Sequence, residues 1–220
     1  MVGLYLKSLA LVAGLAACLF VSAGTWSWGW GWVLVTCYSV FVLFALTRVD
    51  QELLLERASP SGFDRGDALL ASLGFVFLYP LPLVVAGLDA VRYQLTPPPD
   101  DWLRWVGCAG FAGGYAFAFW AMLANRFFTT FQRVQHDRQH YVVRSGPYAY
   151  VRHPGYAGML LAHYGIPLLL GSAWAAAPLV VGTGFFVARV LREERTLAAG
   201  LPAYEAYRQR VRWRLLPGFW

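Results

Sequence analysis

Cysteine, lysine and charged residues in general are scarce in this 220-residue chain. The three cysteines, Cys18, Cys37 and Cys108, each lie in an apolar stretch, without a Cys-x-x-Cys pair or a cluster at metal-ligand spacing. We therefore expect neither a disulfide nor a metal site. Charged residues make up 14% of the chain and hydrophobic ones 58%, which is more apolar surface than a soluble domain of this length can bury. The composition predicts a protein embedded in a lipid bilayer.

The apolar segments are long enough to cross a bilayer several times. Because about 20 apolar residues form one crossing, we predict four transmembrane helices, at residues 4–23, 28–47, 68–88 and 102–124. Two shorter apolar runs, at about 155–171 and 174–191, predict a tightly turned helical hairpin. The first run ends in small residues that would also suit a signal peptide, but further spans follow directly, so we expect an uncleaved helix.

Basic residues set the expected orientation of these crossings. The net charge of +6 could serve nucleic acid, anionic lipid or membrane topology. With the N-terminus in the cytoplasm and six crossings, only Arg92 and Arg104 fall outside, as the positive-inside rule requires. We therefore expect both termini in the cytoplasm and no nucleic-acid partner. The composition, rich in Arg and Ala with Lys7 as its one lysine, suggests a prokaryotic cytoplasmic membrane.

Two regions are predicted, at residues 1–124 and 125–220. The first is the four-helix transmembrane region, in whose last span glycines recur at helical spacing and favour close helix packing, namely Gly107, Gly110, Gly113 and Gly114. The second contains a cytoplasmic loop, the hairpin and a cytoplasmic tail. Apolar residues at helical offsets predict an amphipathic surface helix at the start of the loop, namely Phe127, Phe128, Phe131 and Val134.

Polar residues of chemical interest flank the hairpin. Pro154 disfavours helix at His153 and suits the first turn of the next helix, whose free N–H groups would attract a carboxylate. On the last hydrophobic helix, Arg189 and Glu193 lie one turn apart, with Glu194 beside them. The glutamates suit a ligand with ammonium and hydroxyl donors, and the arginine suits an anion. The alternative is a surface Arg–Glu pair where the helix leaves the bilayer.

The combination of motifs is more specific than any one of them. The spaced residues are His140-x-x-Val143-x-x-Gly146-x-Tyr148, Arg152-His153-Pro154-x-Tyr156-x-Gly158, Glu193-Glu194-x-x-Leu197, Tyr204-x-x-Tyr207 and Leu216-Pro217. Over about residues 125–217 this pattern resembles the isoprenylcysteine carboxyl methyltransferase family and the related phospholipid methyltransferases. The preceding spans resemble shorter prokaryotic members in hydropathy and in the loop Glu56-Arg57-x-x-Pro60.

The resemblance implies an all-α integral membrane protein without a Rossmann domain. Four transmembrane helices would be joined by a cytoplasmic loop and a C-terminal helical hairpin that enclose S-adenosylmethionine, so residues 125–220 would be the catalytic region. The implied cofactor contacts are Gln135, His140, Tyr141, Val142, Val143, Tyr148, His153, Pro154, Gly155, Tyr156 and Glu193. Arg189 matches the position that meets the substrate, and Arg152 and Glu194 are expected beside it. The acceptor would be a lipid or prenylated molecule that enters from the bilayer.

Several functions stay open at this point. A carboxylate acceptor is already ionised near neutral pH and needs only orientation, for which Arg189 is suited. A phospholipid amine must first lose a proton, and Glu194 or His163 would then be the candidate base. An NADPH-dependent sterol or enone reductase has a similar C-terminal architecture, and a transport or scaffold protein is the non-enzymatic alternative. The paired glutamates and the His-Pro-x-Tyr spacing favour the methyl donor.

Overall fold

The computed structural model describes residues 2–58, 64–131, 134–135 and 138–220, and every regular element within these ranges is a helix. A π-helical stretch, Gly87–Tyr93, continues the fifth helix, and a 3-10 turn spans Gly146–Ala149. The α-helices are α1 (Val2–Ala23), α2 (Gly29–Arg48), α3 (Gln51–Ala58), α4 (Arg65–Leu78), α5 (Pro80–Ala86), α6 (Asp101–Ala124), α7 (Pro154–Leu170), α8 (Ala176–Gly200) and α9 (Ala203–Arg210).

Four helical stretches are long and apolar enough to cross a membrane. They are Val2–Ala23, Gly29–Arg48, Arg65–Tyr93 and Asp101–Ala124, which confirms the four predicted spans. Helices α7 and α8 form the expected hairpin, which turns at Gly171 with a left-handed φ of 72°. Helix α8 continues beyond the apolar run that ends at residue 191 and, as expected, includes Glu193 and Glu194. The chain is a multi-pass membrane protein with an all-α fold.

The third span is broken in its middle, where the sequence predicted a continuous helix. Pro80 has no N–H group and disfavours helical backbone at the residue before it. Tyr79 accordingly leaves the helical region, with φ −105° and ψ −80°. Helix α4 ends there, and the crossing continues through α5 and the π-helical stretch. The break places the ring of Tyr79 against that of His163, with their centroids 4.3 Å apart.

The predicted amphipathic helix at the start of the 125–153 loop is wrong for the residues that the structure describes. Residues 125–131 form turns and bends. The side-chain oxygen of Asn125 accepts a hydrogen bond from the N–H of Phe127 at 2.9 Å, a local bond that competes with continued helix. Phe127 is then buried, with its ring centroid 4.2 Å from that of His140. The aromatic residue therefore faces the protein interior and not the lipid.

Helices α6 and α7 pack backbone against backbone through glycines. A Cβ added to Gly114 would lie 2.6 Å from the carbonyl oxygen of Gly158 and would also overlap the backbone of Ala162. Gly107 meets Gly165 in the same way one to two turns further along. Gly113, although adjacent to Gly114, faces open space. The predicted small-residue face is therefore confirmed for Gly107 and Gly114. These close contacts set the position of α7 relative to α6.

We expect Gly114→Ala to lower the thermal unfolding midpoint of the detergent-solubilised protein. The methyl group would force the two backbones apart, an overpacking cost of about 1–3 kcal/mol. Gly113→Ala is the matched control and should leave the midpoint unchanged or slightly raised, because alanine favours helix more than glycine does. Equal midpoints for the two variants would show that the close approach of α6 and α7 does not stabilise the protein.

Candidate functional site

A cavity of about 240 Å³ lies between the loop after α6, the start of α7 and the C-terminal half of α8. Most of the residues that the resemblance assigned to a cofactor or substrate site form its wall: His140, Tyr141, Val142, Val143, Tyr148, Arg152, His153, Gly155, Tyr156, Arg189 and Glu193. Three others, Gln135, Pro154 and Glu194, lie behind the wall. Residues as far apart in the sequence as Arg57 and Tyr207 thus meet at one cavity.

The start of α7 points its first turn at this cavity. Pro154 occupies the first helical position, where its missing N–H costs nothing. The N–H groups of this first turn have no partner within the helix and form an electropositive end. Gly155 leaves room for the ring of Phe128, which a Cβ at that position would overlap. The arrangement can hold a carboxylate at the helix terminus.

Glu194 is buried and binds three basic side chains. Its Oε1 accepts from Nε of Arg152 at 2.6 Å, and its Oε2 accepts from Nε of Arg214 at 2.9 Å. Nε2 of His153 lies 3.4 Å from Oε1. Burial raises the pKa of this carboxyl, but the hydrogen bonds from His153, Arg152 and Arg214 outweigh it and lower the pKa of Glu194 to about 2. Glu194 therefore stays ionised and is a poor proton acceptor near neutral pH.

The C-terminal tail binds the backbone at the start of α7. Nη1 of Arg152 donates to the carbonyl oxygens of Val211 and Arg212, both at 2.7 Å. The N–H of Arg152 donates to the carbonyl of Trp213, and that of His153 to the carbonyl of Arg214, both at 2.9 Å. These bonds occupy the Nε and Nη1 donors of Arg152 and hold the backbone of His153 in place at the cavity.

Glu193 is the carboxylate that the cavity presents to a ligand. Its side chain is 27% exposed, against 5% for Glu194, and its Oε1 lies 3.9 Å from Nδ1 of His153. Across from it, the hydroxyl of Tyr204 is buried and makes no hydrogen bond within the described part of the chain. Burial, with the nearby carboxylates, raises the pKa of Tyr204, so this hydroxyl keeps its proton. A carboxylate and an unused hydroxyl donor thus both line the cavity.

Residues 102–202 match the model of the phospholipid methyltransferase family. This segment is similar to that family, and it makes up slightly less than half of the chain. The protein-S-isoprenylcysteine O-methyltransferase of Schizosaccharomyces pombe (strain 972 / ATCC 24843) is 33% identical to the chain over 90 residues, which are 40% of this chain and 38% of that protein. The chain thus matches less than half the length of that relative. The resemblance seen in the motifs is confirmed.

The fold is similar to that of a solved structure. The chain superposes on the structure of the eukaryotic intramembrane Ras methyltransferase, isoprenylcysteine carboxyl methyltransferase, with a TM-score of 0.52 and 20% sequence identity. The superposition covers 96% of this chain and 73% of that structure. The shared architecture therefore includes the N-terminal spans, which lie outside the segment that the family model matches.

Arg189 has a different partner from the one that its sequence neighbourhood suggested. The alternative drawn from the sequence was a surface ion pair between Arg189 and Glu193 on α8. In the structure its Nε and Nη2 donate to the two carboxylate oxygens of Asp67 on α4, at 3.0 and 3.1 Å, and Nη2 also donates to the carbonyl of Thr130 at 2.8 Å. The pair is buried at the cavity wall. The contact joins positions 122 residues apart, which no local pattern could reveal.

Gln135 and His163 lie outside the cavity wall. The side-chain amide of Gln135 donates to the carbonyl of Phe127 at 3.0 Å, and its backbone N–H lies 3.3 Å from Nδ1 of His140. Gln135 thus supports His140 from behind. Nδ1 of His163 lies 2.7 Å from the carbonyl of Met159, one turn earlier on α7. The packing role that is usual for a lone histidine fits this position.

Several wall residues were missed as members of the site. Tyr204 and Tyr207 were recognised as a motif but given no role, and Arg57 was noted only as part of the Glu56-Arg57-x-x-Pro60 loop, whose Pro60 lies outside the described residues. Thr130 contributes through its backbone carbonyl, which leaves no trace in the sequence. The sequence signals that could have led to these residues were the motifs that contain Arg57 and the two tyrosines.

We expect Glu194→Gln to destabilise the protein in a pH-dependent way. The folded-state pKa lies below the ordinary value of 4.5, so the stabilisation is present above that pH and is lost as the pH falls towards about 2. At neutral pH the variant leaves the buried guanidinium of Arg152 and the half-buried one of Arg214 without their carboxylate, at a cost of about 3 kcal/mol. Unfolding midpoints at pH 7 and pH 3 check this, with the exposed Glu205→Gln as control. A midpoint difference independent of pH would contradict it.

Proposed function

We propose that this protein is an S-adenosylmethionine-dependent methyltransferase that methylates the carboxylate of an isoprenylcysteine-type acceptor in the membrane. The observation that carries the proposal is the cavity into which Glu193, the start of α7 and the unpaired hydroxyl of Tyr204 converge. The family of residues 102–202 and the shared fold support it. The distribution of basic residues supports a cytoplasmic cavity, with both termini on that side of a prokaryotic membrane.

The wall residues fit the functional groups of the cofactor. The carboxylate of Glu193 suits its ammonium group or its ribose hydroxyls, and the first turn of α7 suits its carboxylate. Tyr141 and Val142 provide an aromatic and apolar surface for the adenine ring. The hydroxyl of Tyr204, protonated and without a partner in the described structure, can donate to an oxygen of the ligand. When bound, S-adenosylmethionine supplies an electrophilic methyl group on its sulfonium.

The residues of the site then need only to orient the acceptor, because no proton has to be removed from it. A carboxylate acceptor is ionised near neutral pH, so its oxygen can attack without a general base. Asp67 and the carbonyl of Thr130 fix the guanidinium of Arg189 at the wall, where it can orient the acceptor. The buried aromatic residues around it exclude water. We assign Arg152 and Glu194 the role of positioning residues, since they hold His153 and the start of α7.

The site favours a carboxylate acceptor over a phospholipid amine. An ammonium group would have to lose a proton before attack, and of the two candidate bases Glu194 has a pKa of about 2 and His163 lies outside the wall. Nicotinamide reduction and solute transport remain as outcomes of the binding experiment below.

Calorimetric titration of the detergent-purified protein with S-adenosylhomocysteine tests the proposed cofactor. We expect saturable binding, no binding of NADPH, and an affinity at least about tenfold weaker in Glu193→Gln, since a charge-assisted hydrogen bond is lost. Glu205→Gln is an exposed control that should bind normally. Binding of NADPH alone would favour the reductase. Binding of neither ligand to folded protein would favour the transport or scaffold interpretation.

We expect Arg189→Ala to lower turnover about tenfold or more, because the acceptor loses its orientation, while S-adenosylhomocysteine binding stays near the wild-type value. Since the substitution leaves Asp67 unpaired, the double variant Asp67→Asn/Arg189→Ala separates the catalytic effect from instability. Arg192→Ala, which breaks the neighbouring exposed pair with Asp64, is the control. Loss of cofactor affinity with an unchanged acceptor KM would contradict this division of roles.

A further inference from the structure

A second cavity of about 340 Å³ adjoins the first on the membrane side. It is lined mainly by apolar side chains of α1, α2, α3 and α6, among them Leu11, Leu15, Phe41, Leu54, Phe119 and Met122. The two cavities share wall residues, namely Arg57, Tyr79, Phe128, Thr130 and Met159. A ligand that occupies both would have a polar end beside Glu193 and Arg189 and an apolar end among the transmembrane helices.

Arg57 is the charged residue of this shared wall. It lies on the short helix α3, and its Nη1 donates to the carbonyl of Phe128 at 3.0 Å, with the guanidinium carbon 5.2 Å from the centroid of that ring. Its side chain is half-buried and lines both cavities. The partners of the guanidinium are thus a neutral carbonyl and an aromatic ring.

Arg57 differs from the other buried arginines of the site in its charge balance. Arg189 is paired with Asp67, and Arg152 with Glu194. Arg57 has no carboxylate within 4.0 Å in the described ranges. Burial lowers the pKa of Arg57 from its ordinary value, and although nearby tyrosines raise it, the positive charge of Arg189 lowers it further. A guanidinium keeps its proton even so. A positive charge without a counter-ion among the described residues therefore lies at the junction of the two cavities.

We propose that Arg57 binds the acceptor's carboxylate and thereby selects anionic over neutral or cationic acceptors, with the acceptor's apolar chain in the second cavity. The proposal rests on the proposed function, and it adds the residue that sets acceptor specificity. An isolated charge in a poorly hydrated site is unfavourable, and an anionic ligand offsets this cost. Arg189, whose charge Asp67 already balances, then orients the acceptor, while Arg57 supplies the net attraction.

The location of Arg57 also fits the geometry that methyl transfer needs. Its guanidinium lies where the polar cavity opens into the apolar one, so a carboxylate bound there stays in reach of the first cavity while its chain extends among the helices. A lipid amine would meet Arg57 as a like charge that no carboxylate of the described residues balances. The junction therefore discriminates by charge, and the second cavity accommodates a single apolar chain.

Binding of N-acetyl-S-farnesylcysteine and of its carboxamide to the S-adenosylhomocysteine-loaded protein tests this assignment. The two probes share the prenyl chain and differ in the negative charge. We expect wild-type protein to prefer the acid, and Arg57→Gln to weaken the acid at least about tenfold while leaving the carboxamide unchanged. Arg48→Gln, an exposed arginine at the end of α2, is the matched control and should behave as wild type.

The outcomes separate the two proposals. Failure of wild-type protein to bind S-adenosylhomocysteine would refute the proposed function, whatever Arg57 does. Normal binding of that ligand together with an unchanged acid-to-carboxamide preference in Arg57→Gln would refute the role of Arg57 alone. If Arg57→Gln does not fold, Arg57→Lys retains the charge and should retain the preference for the acid. An equal affinity of wild-type protein for both probes would overturn the proposal without any variant.

Discussion

The buried carboxylate of Glu194 joins three segments that are far apart in the sequence. It lies on α8 and binds Arg152 at the start of α7 and Arg214 in the C-terminal tail. A carboxylate next to a membrane is costly unless basic groups surround it, and here two guanidinium groups and the ring of His153 do so. Glu193 precedes Glu194 and lies about 100° from it around the helix. Anchoring Glu194 inside the protein therefore directs Glu193 towards the cavity.

Two backbone features place the rest of the site relative to this anchor. The glycine contacts between α6 and α7 bring the backbones together without side chains between them. Helix packing therefore sets the position of α7 and of His153, which precedes its first residue. The proline break at Tyr79 opens the third span beside α7 and gives both cavities a common wall residue. A polar cavity and an apolar cavity therefore meet within the bundle, which suits a reaction between a water-soluble methyl donor and a lipid-like acceptor.

The sequence predicted what depends on local composition and spacing. The four spans, the hairpin and the family resemblance follow from hydropathy and from ordered motifs, and the loop and the last hairpin indeed meet at one cavity. The contact of Asp67 with Arg189 could not be predicted, since the partners lie on separate helices and each alone resembles an ordinary charge at a helix end. The loop after α6 was misread because Phe127 and Phe128 have helical spacing, while the hydrogen bond from Phe127 to the side chain of Asn125 turns the chain inward.

The most direct test of this account is transfer of a tritiated methyl group from S-adenosylmethionine to N-acetyl-S-farnesylcysteine by the protein in liposomes, followed by treatment of the lipid product with alkali. An ester formed at a carboxylate releases volatile tritiated methanol under these conditions, whereas a methylated amine does not. We predict label in the lipid fraction that alkali releases as methanol. Absence of transfer by folded protein that binds S-adenosylhomocysteine, or label that resists alkali, would contradict the account of a carboxylate methyltransferase.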